Sequence, residues 1–301
     1  MKVTVFGASG TIGQALLPVL ARDHDVVAVS RQSAARSDTS VRWAQADATD
    51  AGSVRKALAG AEAAFYLVHS LGAANFAERD RLAATTVAAE ADRAGLRQIV
   101  YLGGLGDDSP ALSPHLRSRL ETGSALSSGT TPVTTLRAAM VVGRGSAAFE
   151  TIVALVRRLP AMVMPRWVTT PTQPIALDDV VAYLSGVCGL EAAYGAGYDV
   201  GGPDVMTYLE MIERIAAVLG RRPLIVRVPV LTPRLSSYWL HLVTPVKAGV
   251  ARPLIEGLRI PTTARDEAIR AVVPLELTSF DDAARHALRP VLDGGRSELA
   301  R

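Results

Sequence analysis

A glycine-rich turn near the beginning of the chain constrains the fold more than any other feature of the sequence. The first residues, MKVTVFG, are a short apolar β-run that leads into Gly7, Gly10 and Gly13. A helical pattern follows at 11–22, and a second apolar run at 25–30 completes a strand–helix–strand unit of about thirty residues. Because glycine lets the turn approach a pyrophosphate at the helix N-terminus, this unit predicts dinucleotide binding. The alternative is a flavodoxin-like turn that holds no ligand.

The residue at the end of the second predicted strand indicates which dinucleotide the site prefers. A site for NAD places Asp or Glu at this point, where the carboxylate binds the ribose hydroxyls. This chain has Ser30 and Arg31 instead. A guanidinium pairs with a 2′-phosphate through its planar fork, so we expect NADP(H) to be favoured over NAD(H). The alternative is that Arg31 is a solvated loop arginine.

Composition favours a globular, enzyme-sized protein. The 301 residues are 49% hydrophobic, which is enough for a sizeable core. The formal net charge is only +3 and there is no basic block, which argues against a nucleic-acid partner. The single cysteine excludes an internal disulfide and is consistent with a reducing compartment. We therefore expect a cytoplasmic protein with a small-molecule substrate, and we assign no metal site.

Strand and helix patterns alternate through the first half of the chain. We predict strands at 41–46, 63–68, 97–102 and 132–137, with helices at 51–58 and 76–94. This alternation is typical of a doubly wound parallel sheet that is covered by helices on both faces. Ligands of such sheets lie beyond the carboxyl ends of the strands, so the following residues should share one edge: Arg31, Asp47, His69, Ser70 and Gly103.

The simple alternation ends after residue 137. We predict helices at 146–159, 177–187, 207–219 and 279–288, and strands at 174–176, 198–200 and 221–228. The fold class is therefore α/β, a Rossmann-type sheet with a small C-terminal α+β substrate lobe. The predicted division is a Rossmann domain at 1–145, rejoined by the strands at 174–176 and 198–200, a lobe mainly at 146–292, and a flexible tail at 293–301.

The region 231–260 is apolar but interrupted by prolines. We prefer the interpretation that it covers the substrate pocket. Two alternatives are packing in a homodimer and peripheral contact with a membrane surface, and the latter is suggested by an aromatic pair among basic residues. The chain is expected to be a monomer or a homodimer.

Several motifs resemble one known family: GASGTIG with Arg31 and Asp47, YLGG at 101–104, LRAAMVVG at 136–143, PIALDDVV at 174–181 and YDVGGPDVMTYLEMI at 198–212. The family is that of the atypical or extended short-chain dehydrogenase/reductases, close to NmrA-like and nucleoside-diphosphate-sugar-epimerase-like NAD(P)-binding proteins. More narrowly, FYLVHSLG, SPHLRSRLETG, PRWVTTPTQPIAL and PVLTPRLSSYWLHLVTP are similar to the YbjT-like branch of bacterial proteins.

The resemblance implies a set of cofactor contacts. The pyrophosphate would lie on the turn formed by Gly7, Ser9, Gly10, Thr11, Ile12 and Gly13. The resemblance places the adenosine 2′-phosphate at Arg31, the adenine at Asp47 and Ala48, and the cofactor ribose near Val68, His69 and Ser70.

The catalytic pattern of the family is not retained. Its members typically use a Ser after strand five and a Tyr-x-x-x-Lys on the next helix, because Tyr transfers a proton while Lys lowers its pKa. Here strand five ends in Gly103–Gly104, and His115 and Arg119 align with Tyr and Lys. Histidine can itself transfer a proton near neutral pH, and Arg119 can bind ribose or polarise a substrate oxygen. His69 is a third catalytic candidate. Both histidines could instead be structural.

These observations predict an NAD(P)H-dependent atypical short-chain reductase that acts on a small apolar carbonyl or quinone-like acceptor, since the nicotinamide itself supplies the hydride. One alternative is a non-catalytic NAD(P)(H)-sensing or assembly protein of the NmrA type, which the replaced Ser, Tyr and Lys support. Another is a sugar-nucleotide epimerase or dehydratase, which the same replacement disfavours.

Overall fold

The computed structural model describes residues 1–32, 41–70, 75–106, 112–164, 166–227 and 260–299. The segment expected to cover the pocket, 231–260, lies outside this part of the chain except for Ile260. None of the helices in the described ranges combines the length and the apolar character that a membrane span requires.

The strands of the described residues are β1 (Lys2–Phe6), β2 (Asp25–Ser30), β3 (Arg42–Gln45), β4 (Ala63–Tyr66), β5 (Gln98–Gly104), β6 (Val133–Ala138), β7 (Val141–Val142), β8 (Ala161–Met164), β9 (Pro171–Thr172), β10 (Ile175–Ala176), β11 (Gly197–Val200), β12 (Met206–Thr207) and β13 (Leu224–Arg227). The helices are α1 (Thr11–Leu20), α2 (Ala51–Leu58), α3 (Phe76–Ala94), α4 (Pro114–Leu126), α5 (Ala147–Arg158), α6 (Leu177–Gly186), α7 (Tyr208–Val218), α8 (Ala268–Val272) and α9 (Phe280–Leu299).

Seven strands form one sheet in the order β11-β6-β5-β4-β1-β2-β3, with every neighbouring pair parallel. The central strands are buried on both faces, which explains their near-continuous apolar sequences. The chain passes from β1 towards β3 on one side and from β4 towards β6 on the other. The boundary between β1 and β4 is therefore the switch point at which ligands bind in such sheets.

Helices cover both faces of this sheet, as predicted for a Rossmann-type fold. On one face, α1 and α6 pack through residues such as Leu16 and Leu184. On the other face, α2 and α3 pack through Leu58 and Val87. The helix ends follow local rules: the Asp50 carboxylate accepts a bond from the Ser53 amide at the start of α2. The doubly wound α/β prediction is confirmed.

A second hydrophobic core lies in the C-terminal half, where α5, α7 and α9 pack together. Phe149, Ile215 and Phe280 are among its buried residues. Thr207 and Glu210 form the capping box that begins α7. This core stands beside the carboxyl edge of the main sheet, because β7 and α5 follow directly after β6.

Two details differ from the predicted division of the chain. The strand at 175–176 does not rejoin the main sheet. It pairs with β7, which follows β6 in the chain and lies outside the main sheet, so the two strands form a separate small sheet. The strand at 197–200 does pair with β6 at the sheet edge. The expected tail at 293–301 is helical as far as Leu299.

Candidate functional site

The glycine turn between β1 and α1 is closely packed against backbone. Gly7 has a φ of +84°, and a Cβ there would lie 2.7 Å from the carbonyl carbon of Leu67. A Cβ on Gly13 would lie 2.5 Å from the Gly7 oxygen. Gly10 precedes α1 and supplies no side-chain cap. The first amides of α1 are thus left for an anion such as a pyrophosphate.

Two cavities meet at this turn, and Gly7, Gly10, Leu67 and His69 border both of them. The larger one measures about 440 Å³ and extends towards α4 and the second core. The smaller one measures about 170 Å³ and extends towards the ends of β2 and β3. Two cavities joined beside a free helix N-terminus fit a dinucleotide, with the pyrophosphate at the turn and one nucleoside on either side.

The sequence-predicted site residues all border these cavities. Gly7, Gly10 and His69 line both cavities. The smaller cavity is also lined by Ser9, Arg31, Asp47, Ala48, Val68 and Ser70. The larger cavity is also lined by Thr11, Ile12, Gly13, His115 and Arg119. The structure therefore brings the expected residues to one edge of the sheet, although their roles stay predictions.

Asp47 is the polar centre of the smaller cavity. Its carboxylate accepts bonds from the amide and hydroxyl of Thr49, and from Arg79 at 2.8 Å. Burial alone would raise the pKa of Asp47, but the Thr49 bonds and the charges of Arg79 and Arg31 lower it below its usual value. Arg31 itself is exposed and lines the same cavity.

A chain of three side chains reaches the larger cavity. The Asp80 carboxylate is fully buried and lies 2.8 Å from Nδ1 of His69. Nε2 of His69 lies 3.2 Å from Nδ1 of His115, and the ring centroids are 4.9 Å apart. The other Asp80 oxygen accepts the Ser70 amide at 2.9 Å. Both histidines that the sequence singled out are thus hydrogen-bonded to each other, and neither is a surface histidine.

The charges around this chain favour neutral imidazoles. Burial lowers the pKa of His115 to about 3, and His69 and Arg119 act in the same direction. Burial also lowers the pKa of His69, although the bond to Asp80 opposes the shift. For Asp80, burial would raise the pKa, but the bonds from His69 and Ser70 keep it below its usual value. The carboxylate is therefore ionised while both rings are neutral at neutral pH.

Arg119 lies against the sheet as well as against the cavity. Its guanidinium donates to the backbone oxygens of Val68 and Leu102, which follow β4 and belong to β5. It also lies over the Tyr101 ring, 4.9 Å from the centroid. Its charge therefore acts on both histidines from a fixed position, while its hydrogen bonds hold two strand ends together.

Sequence reasoning missed Asp80, Arg79 and Tyr208. A pattern in α3 could have revealed Asp80, because this charged residue falls on the same helical face as the buried Ala83, Ala84 and Val87. A carboxylate on an apolar face requires a partner. Arg79 and the cavity-lining Tyr208 carry no comparable pattern in the sequence.

Comparison with known proteins agrees with this geometry. Residues 7–130 match a family model that is described as NAD(P)H-binding. No curated protein sequence matches the chain. The fold is of the Rossmann type, and residues 7–130 are similar to an NAD(P)H-binding domain.

Solved structures show the same fold over nearly the whole chain. A nucleoside-diphosphate-sugar epimerase from Staphylococcus aureus has a TM-score of 0.77 at 14% identity, covering 95% of this chain and 100% of that one. Triphenylmethane reductase from Citrobacter sp. has a TM-score of 0.78 at 17% identity, covering 96% and 100%, and has also been solved with NADP(H). UDP-glucuronic acid 4-epimerase from Bacillus cereus, in complex with NAD, has a TM-score of 0.72 at 15% identity, covering 96% of each chain.

Residues 7–130 therefore match the NAD(P)H-binding family model, and the chain as a whole has a fold similar to that of the nucleoside-diphosphate-sugar epimerase and of triphenylmethane reductase. The family resemblance is confirmed at this level. The YbjT-like branch stays a prediction.

Proposed function

We propose that this protein is an NAD(P)H-dependent reductase that acts on a small, largely apolar carbonyl or quinone-like acceptor. The observation that carries the proposal is the larger cavity, which adjoins the glycine turn and combines apolar walls with His115. Leu102, Leu105, Met140 and Val141 are among the wall residues. A volume of about 440 Å³ admits a nicotinamide end together with a small flat molecule.

The turn and the smaller cavity would hold the rest of the cofactor. The amides at the start of α1 bind the pyrophosphate, Asp47 and Ala48 meet the adenine, and Arg31 takes the 2′-phosphate. Bound there, the cofactor supplies a hydride to the acceptor. The preference for NADP(H) rests on Arg31 and on the absence of a carboxylate at the end of β2.

The protein's own contribution to the chemistry is orientation and proton handling. The apolar walls exclude water from the acceptor, and the imidazole of His115 lines this cavity and is linked through His69 to the buried Asp80 carboxylate. Arg119 fixes the position of the surrounding strand ends.

Calorimetric titration with NADPH and NADH separately tests the cofactor assignment. In the Arg31→Ala variant we expect NADPH affinity to fall about 10- to 100-fold, because a charge-assisted phosphate contact is lost, with little change for NADH. The matched control is Arg22→Ala, an exposed arginine just after α1 and away from both cavities. Equal losses for both cofactors would contradict the role of Arg31.

A panel of quinones and small carbonyl compounds, followed through NADPH absorbance, tests the reaction. We expect turnover that falls at least about tenfold in His115→Gln, whereas His286→Gln, an exposed histidine on α9, should leave turnover unchanged. UDP-sugars belong in the same panel, since conversion of these without net cofactor oxidation would favour the epimerase alternative.

A specific observation favours a second candidate, a non-catalytic NAD(P)(H) sensor. The guanidinium that replaces the usual lysine is bonded to two backbone carbonyls, and glycine replaces the usual serine. Tight NADPH binding with no turnover on any acceptor would support this candidate over the reductase.

A further inference from the structure

The hydrogen bonds of Asp80 determine which nitrogen of each histidine carries a proton. One carboxylate oxygen accepts the Ser70 amide at 2.9 Å, and the other faces Nδ1 of His69 at 2.8 Å. An ionised carboxylate only accepts hydrogen bonds, so Nδ1 of His69 must donate. In the neutral ring this leaves Nε2 of His69 as an acceptor.

The same rule extends to the next ring. Nε2 of His69 faces Nδ1 of His115 at 3.2 Å, so Nδ1 of His115 must donate the hydrogen of this bond. The remaining nitrogen, Nε2 of His115, then carries no hydrogen. It bonds to none of the described residues, and the ring lines the larger cavity. The site therefore presents a hydrogen-bond acceptor to its ligand.

We propose that Asp80 is a positioning residue that holds His69 and His115 in the Nδ1–H form, and that the three side chains form a proton relay to a hydroxyl-bearing substrate. The inference rests on the proposed function, because it assigns the proton path of that reaction. It also names the ligand group: the alcohol, phenol or hydroquinone side of the redox pair contacts Nε2 of His115.

The proton step is balanced with solvent as the final donor or acceptor of the net proton. When the hydroxyl substrate is oxidised, its proton passes to Nε2 of His115 and its hydride leaves to the oxidised nicotinamide. Nδ1 of His115 passes its own proton to Nε2 of His69. The positive charge then lies on His69, directly against the Asp80 carboxylate. Reduction follows the same path in reverse, with His69 loaded by a proton from solvent.

The surrounding groups agree with this direction of charge movement. Arg119 on α4 disfavours a positive charge on both histidines and Asp80 on α3 favours one on both, but only His69 bonds directly to the Asp80 carboxylate, at 2.8 Å. Burial raises the pKa of Tyr66 and Tyr101, which lie behind the relay on β4 and β5, so both stay neutral. The relay therefore moves charge out of the cavity and towards a buried carboxylate.

Nitrogen NMR of the protein labelled with ¹⁵N-histidine tests the relay without any turnover. At pH 7 we expect both His69 and His115 to carry hydrogen on Nδ1 only. Asp80→Asn should reverse both. The Ser70 amide keeps the amide oxygen of the new side chain as its acceptor, so the NH₂ group faces Nδ1 of His69 and donates to it. The hydrogen of each ring then moves to Nε2.

The matched control is Asp92→Asn, on the same helix but bonded to Thr130 and Thr131, which should leave both tautomers unchanged. Nε2-protonated His115 in the wild type, or no switch in Asp80→Asn, would overturn the relay.

Kinetics separate this inference from the proposed function. With an active acceptor, Asp80→Asn should lower turnover at least about tenfold and alter its pH profile, with the affinity for NADPH unchanged. A tautomer switch without turnover on any acceptor would leave Asp80 as the residue that sets both tautomers and would contradict the reductase. Turnover that is identical in Asp80→Asn and wild type would overturn the relay and leave the reductase in place.

Discussion

Two neighbouring residues of α3 serve the two cavities in opposite ways. Arg79 pairs with Asp47 in the smaller cavity, and their side chains are 36% and 39% exposed. Asp80 pairs with His69 towards the larger cavity, and its side chain is 0% exposed. A solvated pair is screened and can rearrange around a ligand, whereas a buried carboxylate must keep its partners. One helix start thus carries a solvated pair beside the proposed nucleotide site and a buried pair beside the proposed site of the chemistry.

The largest effect that we expect on stability follows from removing the buried carboxylate. In Asp80→Ala the Ser70 amide and Nδ1 of His69 both lose their acceptor, which should lower the free energy of unfolding by about 4 kcal/mol. Urea unfolding followed by circular dichroism at pH 7 measures this loss. The control is Glu78→Ala, an exposed residue of the same helix, with an expected change within about 0.5 kcal/mol. Equal losses of stability in Asp80→Ala and Glu78→Ala would show that the buried carboxylate is no more important for stability than an exposed residue of the same helix.

Acid should weaken the protein through the larger cavity. Folding lowers the pKa of His115 from 6.5 to about 3, so the unfolded chain binds more protons between these values. The free energy of unfolding therefore falls as the pH drops below about 6.5, by about 3 kcal/mol at pH 4. The lowered pKa of Asp80 adds a further loss only below its usual value of 3.8.

The measurement is urea unfolding of wild type and His115→Gln at pH 7 and pH 4. Wild type should lose about 3 kcal/mol more than the variant between the two pH values. A parallel loss in both proteins would show that His115 is accessible to protons in the folded state. That outcome would make the two cavities alike in their exposure to solvent.

A substitution in the glycine turn between the cavities should have a smaller effect on stability. A Cβ on Gly13 would lie 2.5 Å from the Gly7 oxygen and 2.7 Å from Cα of Ala8, and both are backbone atoms of the turn, so only a shift of the backbone would relieve the contact. We expect Gly13→Ala to cost about 2 kcal/mol of stability and to weaken NADPH binding. In Gly52→Ala the nearest atom is 3.7 Å away, and this helical position should gain about 0.5 kcal/mol. Thermal unfolding and calorimetry of both variants test the contrast.

The sequence predicted most of the fold because its information there is local. The helices predicted at 51–58 and 76–94 have the same bounds in the structure. Their limits could be predicted because the spacing of apolar residues along a helix is a property of the local sequence. The prediction that the strand at 175–176 joins the main sheet was wrong, since it pairs with β7. Strand pairing depends on the three-dimensional path of the chain, which no local sequence pattern encodes.

The candidate site was predictable only in part, for the same reason. Arg31 and Asp47 follow strand ends, so the parallel sheet itself places them at one edge. The bond between His69 and His115 joins residues 46 positions apart, and Asp80 stands inside a helix rather than at a strand end. The contacts among Asp80, His69 and His115 therefore depend on how α3 and α4 pack against the sheet, which the sequence alone does not give.

The smallest effect concerns the exposed pair beside the buried one. Arg79→Ala removes an ion pair whose two side chains are both more than a third exposed. The free energy of unfolding should therefore change by less than about 1 kcal/mol. A double-mutant cycle with Asp47→Asn isolates the coupling energy, which high salt should reduce further because water and ions reach both groups. If the coupling approached the loss expected for Asp80→Ala, the Asp47 site would be as rigid as the relay. A nucleotide could then not draw Arg79 away from Asp47, and the adjustable character of the smaller cavity would have to be abandoned.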